Sequence, residues 1–263
     1  MRSKIKAVIL AGDRPGGSKL ATVEKVKAGV LVELRGKPCI QHVIEALRAS
    51  KSISGGTVVG PKRDKIDKNK FFRMLMSSDD YDWCPPGDGP SQSAFSTLLN
   101  SREFPILLTA GDHPLLTPAA IDDFCSEASQ LPVDFVVGLV PSRIVKNKWP
   151  LMKRTWYHFS DGEFCGSNLF LVNHPAGLKV LKFWSSVESH RKTPWKIARK
   201  ISWTKVIQYL LKRLSLSDCL QTISEMTGAS VSSVEIKHAA AAVDVDSSAD
   251  MEIARQVLNH DRR

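Results

Sequence analysis

Lys6-Ala7-Val8-Ile9-Leu10-Ala11-Gly12-Asp13-Arg14-Pro15-Gly16-Gly17-Ser18-Lys19 is the stretch that decides the fold. A short apolar run, KAVIL, passes at once into glycines, which is how a buried strand ending in a glycine-rich loop reads. Glycines in that position let the backbone approach a phosphate. Free N–H groups, with Arg14 and Lys19, supply the positive charge. The spacing is neither G-x-G-x-x-G nor the Walker pattern, which argues against a dinucleotide enzyme and a P-loop NTPase. By itself the stretch is equally an ordinary strand-to-helix turn, so the rest of the chain has to decide.

Working outward, Val30 to Leu34 reads as a short strand and Gly36-Lys37-Pro38 as a turn. Ile40 to Ala49 places Ile40, Val43, Ile44 and Leu47 at helical spacing. Gly56 to Gly60 is a buried strand, and 61–70 a charged loop or short helix. Gly87-Asp88-Gly89-Pro90 is a loop, and Ser91 N-caps a helix to Leu99. Phe104 to Thr109 is a central strand followed by Ala110-Gly111-Asp112-His113-Pro114. Thr117 caps a helix over 118–129 with Pro118 in its first turn, where a missing N–H costs nothing. Val133 to Val140 and 168–172 are strands, and Pro175 to about Thr227 is helical. Val231 to Ile236 and Ala242 to Val245 are late strands, and Asp246 opens a terminal helix to Leu258.

Short strands alternating with helices imply an α/β fold, a Rossmann-like, mainly parallel sheet covered by helices on both faces. The expected organisation is a single domain, 1–263, with a helical insertion near 175–227. Ligands of such sheets sit at the carboxyl ends of the strands. That singles out Gly12 to Lys19, Asp112, and Asp244 with Asp246. A carboxylate at the end of a central strand can hold Mg²⁺ against triphosphate oxygens, although Asp112 before a Pro-containing turn also reads as a turn former. Alternation along a strand would put Asp244 and Asp246 on one side, while Asp246 or Ser247 could instead cap the helix that follows.

Composition bounds the reading. The chain has 263 residues and 43% hydrophobic content, enough for one substantial core, and 24% charged residues, ordinary for a globular protein. The N-terminal apolar run is too short for a signal peptide, and no apolar run is long enough to span a bilayer. The five cysteines are widely spaced with no C-x-x-C pair, so neither a zinc site nor a disulfide framework is expected, and a cytoplasmic location with reduced thiols is. The net charge is +10, and it is concentrated: Ser142 to Arg213 holds fifteen Lys or Arg against three acids. Such a region suggests a polyanionic partner, or simply a solvated helical surface.

Taken in order, these pieces resemble the nucleotidyltransferase superfamily with a glycosyltransferase-A-like fold. That group includes molybdenum cofactor guanylyltransferases and sugar-phosphate and alditol-phosphate cytidylyltransferases. The opening strand with its basic glycine-rich loop is Leu10 to Lys19, and the G-x-P turn before a helix is Gly36-Lys37-Pro38. The G-D-x-P segment is matched by Asp112 and Pro114, and the late D-x-x-x-D-[LM] helix start by Asp246, Asp250 and Met251. Gly166-Ser167-Asn168 looks like the family's G-[ST]-N segment near the acceptor, and Gly89 to Ser93 like its loop for base and ribose.

The resemblance implies nucleotide contacts at Leu10, Ala11, Gly12, Asp13, Gly16, Gly17, Gly89, Ser91, Ser93 and Gly111. It implies Mg²⁺ on Asp112 and Asp246, and acceptor contacts at Gly166, Ser167 and Asn168. The activity implied is transfer of a nucleoside monophosphate from a nucleoside triphosphate to a phosphorylated small molecule. The chain departs from the pattern twice. Asp13 stands where a second glycine is usual, and the family's lysine falls on Gly29. Lys27, Lys25 or Lys19 is left to reach the same phosphate, and Arg14, Lys19 and Lys27 are taken as the catalytic cations.

The insertion is not explained by that core. It holds Arg191, Lys192 and Lys196, and five of the six tryptophans lie between 149 and 203. The expectation is a cap over the acceptor side in which those three cations meet the acceptor's phosphate. Peripheral contact with an anionic membrane is the competing use of the same Lys- and Trp-rich surface. Rival functions are a metal-dependent glycosyltransferase, a non-catalytic nucleotide-binding member of the fold, and a nucleic-acid binder. The first would want a second acid just after Asp112, and no nucleic-acid motif is present, so none is expected as a partner.

Overall fold

The computed structural model describes residues 4–13, 16–189 and 203–260. Among these residues ten strands form, in chain order, β1 Ile5–Leu10, β2 Glu33–Leu34, β3 Lys37–Pro38, β4 Ile53–Val59, β5 Tyr81–Cys84, β6 Ile106–Ala110, β7 Phe135–Pro141, β8 Tyr157–Phe159, β9 Gly162–Val172 and β10 Val231–Glu235. Eight make one sheet of order β10-β7-β9-β6-β1-β4-β5, with β8 paired to β9 at its side. The β6-β1-β4-β5 block is parallel, as is β7 with β10. β9 runs antiparallel between β6 and β7. The sheet is therefore mixed and mostly parallel.

Both faces are covered, because the central strands are apolar on both sides. One core gathers around helices Cys39–Ala49 and Pro118–Ala128, the other around Pro90–Leu98, Leu178–Ser189 and Leu216–Thr227. In the first of these helices Cys39, Ile40, Val43, Ile44 and Leu47 are all buried, the stripe its spacing predicts. Thr117 caps the second through Ala120 N–H at 3.2 Å, with Pro118 in the first turn.

Several local expectations are corrected. Residues 29–31 form a 3₁₀ turn, not the start of a strand; only Glu33–Leu34 pairs, with Lys37–Pro38. Arg35 and Gly36, at φ +54° and +74°, make the tight turn of that hairpin. Gly89, rather than Ser91, is the cap of helix Pro90–Leu98. Ala242 to Val245 is not a strand: a 3₁₀ turn, Ala239–Ala242, leads into irregular chain. β5 and β8, each four residues or fewer, were not expected.

Chain order reverses between β1 and β6: β4 and β5 lie to one side of β1, and β6 begins the other. That switch point opens a crevice at the carboxyl ends of the two strands. The segments that line it pack tightly. A Cβ on Gly12 would fall 2.9 Å from Pro86 Cβ, and one on Gly60 (φ +87°) 2.8 Å from the Gly12 nitrogen. The loops after β1, β4 and β5 therefore meet only because glycines stand at the contact.

Candidate functional site

A cavity of about 320 Å³ lies in the crevice and is walled by Gly12, Asp13, Gly17, Lys19, Asp112 and Asp246, with Asn168, Asp244 and Gly29 among its other neighbours. Three segments far apart in sequence thus converge. The join is direct: Val245 N–H donates to the Asp112 carbonyl at 2.9 Å, setting Asp246 beside the end of β6. Ser247 and Asp250 bond reciprocally as the cap of helix Ser248–His260, so capping falls to them, and Asp246 faces the cavity.

The glycine-rich loop divides by role. Ala11 N–H goes to Val59 O and Gly111 N–H to Leu10 O, each at 2.9 Å. Leu10, Ala11 and Gly111 are therefore held by the sheet ladder and position the loop, and Leu10 also borders the cavity. Gly12 and Gly17 face the cavity; Gly16 and Gly17, at φ +101° and +77°, carry the turn. Lys19 starts helix Lys19–Val23, capped by Ser18, and is exposed at the cavity wall. Lys27 is directed elsewhere, with its amine 3.3 Å from the Asp64 carbonyl. Arg14 lies outside the described residues. Asp13 is fixed from two sides: Oδ1 accepts Gly29 N–H at 2.9 Å and Oδ2 accepts Lys65 Nζ at 2.5 Å.

A shallow extension beside Gly12 is lined by Pro86, Gly87, Gly89 and Ser93. Ser93 Oγ accepts Gly87 N–H at 2.9 Å and so shapes that loop. Ser91 does not face it. It is buried, and its hydroxyl and N–H both go to the Glu188 carboxylate, tying helix Leu178–Ser189 to the loop.

On the other side, a cavity of about 730 Å³ is lined by Lys153, Arg154, Tyr157, Gly166, Asn168 and Asp250, and it shares Asn168, Asp244 and Asp246 with the smaller one. The Gly166-Ser167-Asn168 segment is a β-bulge: the β7–β9 register shifts between Val137 and Leu139. Ser167 is fully buried and donates to Gly138 O at 2.7 Å, so it secures the bulge instead of touching an acceptor. The bulge aims Asn168, at φ +51°, into both cavities. Asn168 Nδ2 donates to His113 Nε2 at 2.6 Å. His113 is completely buried, and burial holds its pKa down at about 4, against the opposing pull of Asp244, so it is a neutral strut beneath Asn168.

Arg154 ion-pairs with Asp244 and stands 4.0 Å from Asp250. Burial pushes the Asp244 carboxyl up, but the hydrogen bond and charge of Arg154 outweigh it, and its pKa is lowered. Asp244 is thereby committed to Arg154. Sequence reasoning missed Arg154, Lys65, Glu188 and the role of His113, all set by contacts across more than 30 positions. Of the insertion, Glu188 meets Ser91 after the loop at 87–90, while Tyr209 packs edge-on against Phe159 and Leu214 O accepts Ser160 N–H at 2.9 Å. Its described ends therefore pack against two separate parts of the core, the helix start at Pro90 and Ser91 and the β8–β9 turn. Arg191, Lys192 and Lys196 lie outside the described residues.

Among the described residues no group of three or more His, Cys, Asp or Glu could hold a metal unaided, and no helix is long and apolar enough to cross a membrane. The donor set fits Mg²⁺ nonetheless. That ion takes one or two carboxylates and completes its shell with substrate phosphates and water, and Asp112 and Asp246 border one cavity.

The family described as the MobA-like NTP transferase domain matches residues 7–230. A hypothetical transferase from Thermus thermophilus superposes with a TM-score of 0.78 at 27% identity, over 94% of this chain and 99% of that one. CMP:2-keto-3-deoxy-manno-octonic acid synthetase, solved with CTP, matches at a TM-score of 0.59 and 12% identity, over 98% and 100% of the two chains. 4-Diphosphocytidyl-2C-methyl-D-erythritol synthase from Anaerococcus prevotii matches at 0.58 and 12%, over 97% and 96%. The last two likenesses are of fold. No curated protein matches the sequence.

Proposed function

Because the chain belongs to the MobA-like NTP transferase family, and is a transferase on that ground, we propose that it moves a nucleoside monophosphate from a nucleoside triphosphate to a phosphorylated small molecule and releases pyrophosphate. The observation that carries this is the convergence of the glycine-rich loop, Asp112 and Asp246 on one cavity at the switch point of the sheet.

In this reading Gly12, Gly16, Gly17 and Lys19 meet the triphosphate, and the Pro86–Ser93 loop receives base and ribose. Asp112 and Asp246 hold Mg²⁺, which would neutralise charge on the phosphates. The larger cavity takes the acceptor, with Lys153 and Arg154 answering its phosphate and Asn168 placed between the two substrates. An acceptor phosphate oxygen forms the new bond to the α-phosphorus. The bond from the α-phosphorus to its bridging oxygen breaks, and the electron pair leaves with pyrophosphate. The nucleophile is already an anion, so no general base is required, and catalysis is positioning and electrostatics. A glycosyltransferase reading lacks its second acid: the D-x-D it would want after the central strand has Pro114 in its last position. Membrane contact is not part of this proposal.

The test is pyrophosphate release with each of the four common nucleoside triphosphates, Mg²⁺ and a panel of phosphorylated sugars, polyols and cofactors. One triphosphate–acceptor pair should turn over. Triphosphate binding that is lost on filling the cavity by Gly17→Trp supports the site independently, and absence of both results refutes it.

A further inference from the structure

The phosphate-facing cavity contains an acid where a polyanion is to bind. Asp13 lines its wall, and its side chain is only 11% exposed. A bare carboxylate there would repel a triphosphate. It is not bare: Lys65, just beyond β4, extends its amine to Oδ2 at 2.5 Å, while Oδ1 accepts Gly29 N–H at 2.9 Å. The same carboxylate thus joins the position 29 backbone to a lysine delivered by the helical turn Arg63–Ile66. A Cβ at Gly29 would press on Ser18, 3.1 Å from its Oγ, and would lie at ordinary contact distance, 3.5 Å, from Asp13 Oδ1. Lys27 supports the arrangement, because its amine on the Asp64 carbonyl pins the residue next to Lys65.

We infer that Lys65 is a triphosphate-binding residue of this chain, held beside the cavity by Asp13, which lines the cavity wall. The inference rests on the reading of the cavity as a nucleotide site. An ammonium has three donors. One is used on Asp13, which leaves two for phosphate oxygens. The side chain is 28% exposed, so its amine is neither buried away from a ligand nor free to wander in solvent. Asp13 acts as a positioning residue: it aims the amine, and the Gly29 N–H holds Asp13 in turn.

The experiment is calorimetric titration of the full-length protein with inorganic tripolyphosphate and with the four nucleoside triphosphates. The proteins compared are wild type, Lys65→Met, Lys65→Arg and the double variant Asp13→Asn/Lys65→Met, each checked for an intact thermal transition. Loss of a charge-assisted contact should weaken tripolyphosphate about ten- to a hundredfold in Lys65→Met, and Lys65→Arg should recover most of it. The double variant separates contact from mere charge cover. If Lys65 binds phosphate, Asp13→Asn/Lys65→Met stays at least about tenfold weaker than wild type. If Lys65 only neutralises Asp13, the double variant binds as wild type does, and the inference is overturned. It is also overturned if Lys65→Met binds normally while wild type binds tightly, and that result leaves the nucleotide reading standing. Wild-type protein that binds neither tripolyphosphate nor any nucleotide removes both.

Discussion

His113 offers a test that needs no substrate. The imidazole is fully buried and accepts Asn168 Nδ2 through Nε2 at 2.6 Å. Burial lowers its pKa from the ordinary 6.5 to about 4. Between those two values the unfolded chain takes up a proton that the folded chain refuses. Stability from this group is therefore complete above pH 6.5 and falls as the pH drops toward 4, at ~1.4 kcal/mol per pH unit. The loss is ~2 kcal/mol by pH 5 and ~3 kcal/mol by pH 4. Against a total of ~5–15 kcal/mol that is readily measured. The perturbation is His113→Gln, whose carbonyl can still accept from Asn168 but does not titrate. Urea unfolding at pH 7.0 and 5.0, read as free energies from midpoints and slopes, should show wild type losing ~2 kcal/mol more than the variant. Asp244 does not confuse the window. Its lowered pKa means that its stabilisation, present above its unfolded value of about 3.9, is lost only as the pH falls further. Equal pH slopes in the two proteins would refute the account of His113 as a neutral strut.

Other outcomes follow from the same geometry. Asp112→Asn and Asp246→Asn should each cut Mg²⁺-dependent pyrophosphate release by about a hundredfold or more, beyond the ~10–100-fold of losing a residue that merely supports a metal ligand. Circular dichroism should be unchanged, and full turnover in both variants ends the metal assignment. Lys19→Ala should weaken triphosphate binding by ~1.5–3 kcal/mol if its amine meets a phosphate; calorimetry showing equal affinity would leave Lys19 as a helix start and nothing more. Arg154→Met strands Asp244 beside the cavity, with side chains 12% and 21% exposed in the pair. We expect ~2–3 kcal/mol of destabilisation, below the ~3–5 kcal/mol of a sealed pair because solvent reaches Asp244 through the opening. A thermal midpoint within a degree of wild type would show that the pair is worth nothing.

What the sequence revealed and what it hid separate along a physical line. β1, the helix at Cys39–Ala49 and the Thr117–Pro118 cap were legible, because apolar period and capping chemistry act within a few residues. So was the placing of Asp112, since a strand end in an α/β sheet fixes where a side chain stands; Asp246 reaches the same cavity from irregular chain, through the Val245 N–H bond to the Asp112 carbonyl. β5 was hidden because Tyr81-Asp82-Trp83-Cys84 owes its strand to pairing with β4 alone. Ser91 and Ser167 looked like ligand contacts and prove to be buried braces, to Glu188 and to the Gly138 carbonyl. A hydroxyl's partner is set by whichever distant segment packs over it, and no local pattern carries that. The Asp13 and Gly29 departures show the same limit from the other side. Each alone looks like the loss of a working part. Together, 2.9 Å apart at Oδ1 and N, they form one arrangement: the carboxylate accepts the Gly29 N–H on one side and holds Lys65 from beyond β4 on the other. Two departures joined by one hydrogen bond have to be read as one change, and only the fold shows that they are joined.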